Sequence, residues 1–166
     1  MKTEIKPVKV DEKETLANLL EKYNYEFSQY DKRAFGNDGL FGYKYLENCF
    51  IDCDRFAYFI YADDALAGFA LINKYPECQR SIDWSVAEFF VSYNFRGQGV
   101  ASEAVRQIFG IHKGCYHIKY HNKNKASVAL WNSIANKFSN NHYEVCTGDE
   151  PFSDGTPSTV LFFEVK

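Results

Sequence analysis

The chain has no long hydrophobic run and little excess charge of either sign. Its 166 residues include 19 Lys and Arg against 22 Asp and Glu, a formal net charge of -3, which gives no general attraction to nucleic acid or to an anionic membrane. No apolar segment is long enough to span a bilayer, and the Lys- and Glu-rich stretch 1–14 lacks the apolar core of a signal peptide. We therefore expect a cytoplasmic protein with one domain, residues 1–166, that binds neither membrane nor nucleic acid. The sequence leaves a homodimer open.

Patterns typical of metal sites and disulfide frameworks are also missing. The five cysteines are odd in number and contain no C-x-x-C pair, so neither a zinc site nor a set of disulfides is predicted. Cys49 and Cys53 are spaced to share one helical face, but no histidine lies near them in the sequence. This favours packing over metal binding, and we predict no metal site.

Two common nucleotide-binding patterns are absent as well. The sequence contains neither G-x-x-x-x-G-K-[ST] nor a complete G-x-G-x-x-G, which argues against unrelated nucleotide-binding folds. It also has no internal repeat, low-complexity segment or linker. The remaining composition, 46% hydrophobic and 25% charged residues, is that of an ordinary globular protein.

Helical and strand patterns alternate along the chain. Asp11 can cap a helix with apolar residues at helical spacing up to Tyr23, and a loop-rich stretch, 23–45, follows before a short helix near 43–49. Two further helices are predicted, at about 100–112 and 125–138. The strand-like runs are 4–10, 55–62, 66–73, 82–91, 116–120, 143–147 and 159–165. The order predicts an α/β fold, a single mixed sheet of about six to seven strands flanked by about four helices.

The segment from Trp84 to Val91 has apolar residues on both alternating faces, which is typical of a central strand covered on both sides. Glu88 interrupts this pattern. A carboxylate in such a strand is desolvated, which raises its pKa toward neutrality and suits proton transfer. The alternative is a glutamate at a bulge that points to solvent or pairs with an arginine.

The loop after this strand carries Arg96-Gly97-Gln98-Gly99 and leads into a helix. Unpaired main-chain N–H groups at a helix N-terminus attract phosphate, and the two glycines allow a ligand to approach the backbone. Arg96 adds a charged fork. A lone G-x-G pair, however, is more often only a tight turn.

Two motifs in order make the resemblance to a known family specific. Arg96-x-x-Gly99-x-Ala101 resembles the R/Q-x-x-G-x-G/A loop of the GNAT superfamily of N-acetyltransferases. The family's second signature is matched by four residues: Asn124, Ser127, Leu130 and Trp131. The order of elements also resembles the GNAT plan over nearly the whole chain, and the stretch from Glu88 to Gly99 looks locally like the polyamine acetyltransferases.

The resemblance implies acetyl-CoA as cofactor and assigns its contacts residue by residue. Main-chain groups of Phe90 and Val91 would bind the pantetheine arm, and Asn124 would contact it from the opposite wall of a cleft. For Asn124, a helix N-cap is an equal alternative that does not exclude this role. The residues implied in cofactor binding are Phe90, Val91, Arg96, Gly97, Gln98, Gly99, Val100, Ala101, Asn124, Ser127 and Trp131.

The resemblance also implies the chemistry, with one departure. For such a reaction the desolvated Glu88 is our candidate for the base that deprotonates an amine of a small molecule or a peptide, and it could equally hold the cationic amine in place. Where many members carry a tyrosine that protonates the departing thiolate, this chain has Trp131, whose indole is no useful acid. The alternative function is therefore a CoA-binding sensor or regulatory domain with weak turnover.

The acceptor would lie against a tyrosine-rich region of the N-terminal half. This region contains Tyr23, Tyr25, Glu26, Tyr30, Asp31, Tyr43 and Tyr45. Acidic and aromatic side chains together suit a cationic amine, and from this set we expect Tyr30, Asp31, Tyr43 and Tyr45 to contact the substrate. Mixed core and surface packing is the alternative for each of them. His121 is expected near the cleft as hydrogen-bonded scaffolding rather than as a base.

Overall fold

A single seven-stranded sheet organises the protein in the computed structural model, which describes residues 1–166. The strands are β1 (Thr3–Pro7), β2 (Arg55–Ala62), β3 (Ala65–Asn73), β4 (Trp84–Val91), β5 (Gly114–Tyr120), β6 (Tyr143–Thr147) and β7 (Thr159–Val165). Their order across the sheet is β1-β2-β3-β4-β5-β7-β6. Neighbouring strands are antiparallel except β4 and β5, which are parallel because a helix connects them.

Four helices cover the two faces of this sheet. They are α1 (Lys13–Asp31), α2 (Asn48–Ile51), α3 (Val100–Ile111) and α4 (Lys125–Ser139). Leu16 and Leu20 of α1 pack against β2, β3 and β4 on one face, and the apolar residues of α3 and α4 pack on the other. The predicted fold, a mixed sheet with about four helices, is confirmed. None of these helices combines the length and apolarity that crossing a membrane requires.

Helix α1 continues about two turns further than the sequence predicted. The stretch after Tyr23 looks loop-like because it is polar, but Asn24 is buried and its amide donates to the Gly42 carbonyl at 3.2 Å. The helix ends at Lys32, which has a left-handed φ of 61°. At its start, Glu12 rather than Asp11 occupies the N-cap position, and no side chain caps the helix by a hydrogen bond.

Strands β4 and β5 separate soon after they meet. Their register pairs run only from Trp84–Tyr116 to Val86–Ile118, so the edge of β4 beyond Val86 is not paired by β5. The helix that follows β4, α3, and the helix that follows β5, α4, begin on either side of this opening. The ligand-binding crevice of an α/β sheet is expected at such a place.

A β-bulge in β4 lies at the same point. Leu71 of β3 pairs with Glu88 and Ile72 pairs with Val86, so Ala87 has no partner of its own. Regular alternation would place Glu88 on the same face as Val86, toward α3 and α4. Instead, Ala87 packs with the α1 side and Phe89 packs with the α3–α4 side, so the bulge turns Glu88 toward α1.

The contact between β3 and β4 at Gly68 gives a test of this packing. A Cβ atom at Gly68 would lie 1.9 Å from the Phe90 carbonyl oxygen, so the two strands would have to move apart. We predict that Gly68→Ala lowers the free energy of unfolding by about 1–3 kcal/mol, measured by chemical denaturation. The control is Gly110→Ala near the end of α3, where a Cβ would meet nothing within 4 Å. It should be neutral or stabilising by about 0.5–1 kcal/mol, and equal stability of the two variants would contradict the close approach.

Candidate active site

The separation of β4 and β5 opens a cleft with a volume of about 450 Å³. Four parts of the chain form its walls: α1, the open edge of β4, the loop that begins α3, and the end of β5 with the start of α4. Most of the lining residues are hydrophobic. Ten of the eleven residues implied in cofactor binding line it: Phe90, Val91, Arg96, Gly97, Gly99, Val100, Ala101, Asn124, Ser127 and Trp131.

The loop between β4 and α3 presents a row of free main-chain donors. No N–H group from Gly97 to Ser102 makes a hydrogen bond within the chain. The last three of these donors are the orphan N–H groups of a helix N-terminus, where the helix dipole adds positive potential. Together they form a surface that suits an anion at one end of the cleft, and we call the segment 96–102 the anion-binding loop.

Gly97 and Gly99 are required there by conformation rather than by crowding. Their φ angles are 72° and 83°, in the left-handed region that favours glycine. A Cβ at either position would meet nothing within 4 Å. The structure adds that glycine permits the turn that aligns the donors, while the sequence interpretation, that glycine leaves room for a ligand, stays a prediction.

Arg96 and Gln98 use their side chains within the protein. Both terminal nitrogens of Arg96 donate to the Glu26 carboxylate at 2.8 Å, and its Nε donates to the Val91 carbonyl at 2.6 Å. The Gln98 amide donates to the Asn94 carbonyl at 2.6 Å, and Gln98 does not line the cleft. Both side chains are therefore engaged in hydrogen bonds within the protein.

The opposite wall is formed by the end of β5 and the first turns of α4. Asn124 is the N-cap of α4, since its side-chain oxygen accepts the Ser127 N–H at 3.1 Å. Its amide nitrogen makes no hydrogen bond within the chain, so capping leaves it available to a ligand. Trp131 is buried and packs edge-on against Phe89 with ring centroids 5.4 Å apart.

Glu88 lies on the α1 side of the sheet, beside two tyrosines. Burial raises the pKa of its carboxyl to about 7, although the hydroxyl groups of Tyr23 and Tyr43 act as hydrogen-bond donors that lower it. Burial and the adjacent Glu88 also raise the pKa of both tyrosines, which therefore stay protonated. The result is a carboxyl whose pKa lies near neutral pH and which has two phenols beside it.

Glu88 does not itself line the cleft. Its strand neighbours Ala87 and Phe89 do, and so does Tyr23. Tyr23 is packed in place by the rings of Phe69 and Phe90, at centroid distances of 5.8 and 6.2 Å. Tyr23 is therefore the side chain that connects the Glu88 carboxyl with the cleft.

The expected substrate residues divide into two groups. Tyr30 lines the cleft, and Tyr43 lies beside Glu88. Asp31 is buried at the end of α1 and bonded to Arg33, with 2.5 Å between its carboxylate and the arginine Nε. Tyr45 lies under the Arg55 guanidinium, 4.3 Å from its ring centroid. Of the four, only Tyr30 lines the cleft; Tyr43 is held beside Glu88, and ion pairing and packing hold Asp31 and Tyr45 elsewhere.

His121 is part of an aromatic contact between α1 and the loop that joins β6 to β7. Its Nδ1 accepts the Lys123 N–H at 3.1 Å, and its Nε2 lies 3.3 Å from Asp154. Its ring packs against Phe152 at 4.6 Å and against Phe27 at 6.1 Å. With both nitrogens engaged, His121 acts as scaffolding.

Sequence reasoning missed several residues of the cleft. Phe27 follows Tyr23 by one helical turn and precedes Tyr30 by another, so helical spacing through 23–30 would have found it. Lys119 and Tyr120 close the cleft from β5. No motif marks them, because their position depends on where β5 parts from β4.

The family model described as the acetyltransferase (GNAT) family matches residues 14–135. The matched stretch includes α1, both strands of the cleft, the anion-binding loop and most of α4. The chain belongs to the GNAT acetyltransferase family. Acetyl transfer from acetyl-CoA is the general activity of that family. A comparison with curated proteins finds no match.

Solved structures of GNAT and other acetyltransferases have the same fold. An acetyltransferase from Thermus thermophilus superposes with a TM-score of 0.70 at 10% identity, covering 99% of this chain and 98% of that one. A GNAT family acetyltransferase from Streptococcus agalactiae gives 0.69 at 17% identity, covering 99% and 95%. Arabidopsis thaliana NAA60, in complex with a bisubstrate analogue, gives 0.62 at 12% identity, covering 99% and 98%. At these identities the likeness concerns the fold.

The contact between Tyr23 and Glu88 can be tested by titration. We predict that Tyr23→Phe raises the pKa of Glu88 above its wild-type value of about 7, because it removes a donor that stabilises the carboxylate. Carbon-13 NMR of the glutamate carboxyl signals would follow this, with Glu88→Gln to assign the resonance. Tyr45→Phe is the control and should leave the pKa unchanged. A lower or unchanged pKa in Tyr23→Phe would show that the phenol does not hold the carboxylate.

Proposed function

We propose that this protein transfers the acetyl group of acetyl-CoA to an amine by direct attack in a ternary complex. One observation carries the proposal. A single cleft has a row of free N–H groups at one end, and a carboxyl with a pKa of about 7 lies next to the cleft. The first feature suits the pyrophosphate of a CoA ester. The second suits removal of a proton from an alkylammonium at neutral pH.

The residues of the cleft fit acetyl-CoA. The N–H groups of Gly97 to Ser102 would hold the pyrophosphate. The edge of β4 beyond Val86 is not paired by β5, so it can hydrogen-bond the amide groups of an extended pantetheine arm as a neighbouring strand would. Asn124 and Ser127 line the other wall and would contact the arm from there. When bound, the thioester supplies the activated acetyl group.

The amine must lose a proton before its lone pair can attack. Removal of the proton from an alkylammonium with a pKa near 10.4 costs about 4–5 kcal/mol at neutral pH. Glu88 would accept the proton through Tyr23, which lies beside the carboxyl and lines the cleft. The proton passes from the amine to the Tyr23 oxygen as the phenolic proton passes to Glu88, directly or with a water between them.

The departing thiolate does not depend on a strong acid. Trp131 takes the place of the family tyrosine and is packed against Phe89, so it shapes the cleft wall and donates no proton. A thiol pKa near 8.5 makes thiolate a tolerable leaving group. Tyr120, whose hydroxyl oxygen accepts the Asn132 amide at 3.2 Å, is a phenol on the same wall.

The α1 side of the cleft suits a cationic acceptor. Tyr23, Phe27 and Tyr30 line it. Aromatic faces attract an ammonium group. This supports an amine of a small molecule or a peptide as the acceptor class.

Trp131 favours a second candidate, a CoA-binding sensor with weak turnover. Incubation of the protein with acetyl-CoA and a panel of polyamines, aminoglycosides and peptides separates the two. Free CoA is followed by chromatography, because the five free cysteines of the chain would react with a thiol reagent. Release above the buffer rate with at least one amine supports the enzyme. CoA binding without release across the panel supports the sensor.

Replacement of the base gives a prediction for the enzyme. We expect Glu88→Gln to lower kcat/KM by about 10²-fold or more while leaving CoA affinity nearly unchanged. The wild-type kcat/KM should fall as the pH drops below about 7, because the carboxyl is then protonated and cannot accept the amine proton. Steady-state kinetics between about pH 5 and 9, roughly two units on either side of that pKa, would measure both effects. Equal kcat/KM in the variant would remove Glu88 from the mechanism.

Replacement of a loop glycine gives a prediction for the cofactor. Gly99→Asp places a carboxylate among the N–H groups that would bind phosphate, and we expect calorimetry to show CoA affinity reduced by about tenfold or more. Gly39→Asp is a matched control, since Gly39 has a similar φ of 78° and open space around its Cβ position. Its CoA affinity should be that of the wild type. Unchanged affinity in Gly99→Asp would show that CoA binds elsewhere.

A further inference from the structure

Arg96 is bound on three sides within the protein. Its two terminal nitrogens each donate to one oxygen of Glu26 at 2.8 Å, and its Nε donates to the Val91 carbonyl at 2.6 Å. The guanidinium also lies over the Tyr93 ring, 4.2 Å from the centroid. The guanidinium group therefore has little freedom to turn toward a ligand, because it is bonded at both ends and stacked on one face.

The charge of Arg96 is already matched. Glu26 forms a bidentate ion pair with it, and both side chains are largely shielded, with 34% of Arg96 and 19% of Glu26 exposed. A phosphate that needed the arginine charge would have to compete with this carboxylate at close range. The free N–H groups of Gly97 to Ser102 have no such competitor.

The three bonds of Arg96 connect separate parts of the active site. Val91 is the last residue of β4, Arg96 begins the anion-binding loop, and Glu26 belongs to α1. On α1, Glu26 lies between Tyr23 and Tyr30, both of which line the cleft. One ion pair thus fixes the acceptor wall relative to the loop that would hold the cofactor.

We infer that Glu26 is a positioning residue, which holds Arg96 so that the loop N–H groups and the tyrosines of α1 are fixed around one cleft. This inference rests on the proposed function. In this role Arg96 contributes to CoA binding by fixing the position of the loop. In a direct phosphate contact it would contribute by its charge.

The two roles predict opposite effects of Glu26→Gln. If Arg96 acts by its charge, the neutral partner frees it and CoA should bind more tightly. If Glu26 positions Arg96, the weaker partner loosens the loop, and we expect CoA affinity to fall about fivefold to tenfold by calorimetry. Equal or tighter binding in Glu26→Gln would overturn the inference.

Arg96→Lys is a second, independent variant. Lysine keeps the positive charge but cannot bond both Glu26 oxygens and the Val91 carbonyl from one planar group. Positioning predicts that Arg96→Lys weakens CoA binding as much as Arg96→Gln does. Affinity near that of the wild type in Arg96→Lys would show that charge alone matters and would overturn the inference.

Kinetics separate positioning from a general loss of stability. In Glu26→Gln we expect KM to rise for both acetyl-CoA and the amine, by about fivefold each. The kcat should fall less than threefold, on the order of a modest change in barrier, because Glu88, Tyr23 and Tyr43 keep their contacts. A fall in kcat with unchanged KM values would contradict a positioning role.

The matched control is Glu144→Gln. Glu144 also forms a bidentate pair with an arginine, Arg80, at 2.7 and 3.0 Å, but it lies on β6, and neither residue of the pair lines the cleft. Its CoA affinity and KM values should equal those of the wild type, and a loss as large as that of Glu26→Gln would overturn the inference. Absence of CoA binding by the wild-type protein would instead refute the proposed function, so the two failures are distinguishable.

Discussion

The parting of two parallel strands determines the rest of the site. β4 and β5 share register pairs only from Trp84–Tyr116 to Val86–Ile118, and the unpaired β4 backbone beyond Val86 needs other hydrogen-bond partners when it is buried. A bound ligand with amide groups can supply them. The same parting places the N-terminus of α3 and that of α4 on opposite sides of one opening. Cleft, anion-binding loop and cap residue Asn124 therefore arise from a single feature of the sheet.

The bulge at Ala87 adds the acid–base group to this opening. It turns Glu88 toward α1, where Tyr23 and Tyr43 meet its carboxyl. Raising the pKa of a glutamate from 4.5 to about 7 corresponds to roughly 3 kcal/mol against the charged form. Because the folded pKa is the higher one, this residue lowers the stability of the fold as the pH rises from about 4.5 to about 7. The fold is therefore less stable at neutral pH, but its Glu88 carboxyl can exchange protons there.

Much of the fold follows from the sequence, because most strands and helices have clear periodicity. The predicted bounds of β2, β6 and β7, at 55–62, 143–147 and 159–165, agree with the structure. Helix α1 was predicted too short, since its polar residues after Tyr23 are buried by a loop that only the tertiary structure supplies. Gly99 and Asn124, which carry the GNAT resemblance, both line the cleft.

The details of the site were less predictable, because they depend on contacts between distant segments. Nothing in the sequence near Arg96 indicates that Glu26, 70 residues away, binds its guanidinium. Nor does strand alternation reveal that Glu88 faces α1, since the bulge appears only in the pairing with β3. Asp31 was expected to contact the substrate, but its carboxylate accepts a hydrogen bond from Arg33 two residues later. Local sequence patterns therefore predicted the loop, whereas the partners of its side chains depend on long-range contacts.

The most direct test of this account is a crystal structure of the protein with CoA. The account predicts the pyrophosphate on the N–H groups of Gly97 to Ser102, and the pantetheine arm along the edge of β4 beyond Val86. The sulfur should lie in the cleft on the side of Tyr23 and Glu88, with the Arg96–Glu26 pair intact. CoA bound outside this cleft, or a pyrophosphate held by an Arg96 that has left Glu26, would contradict it.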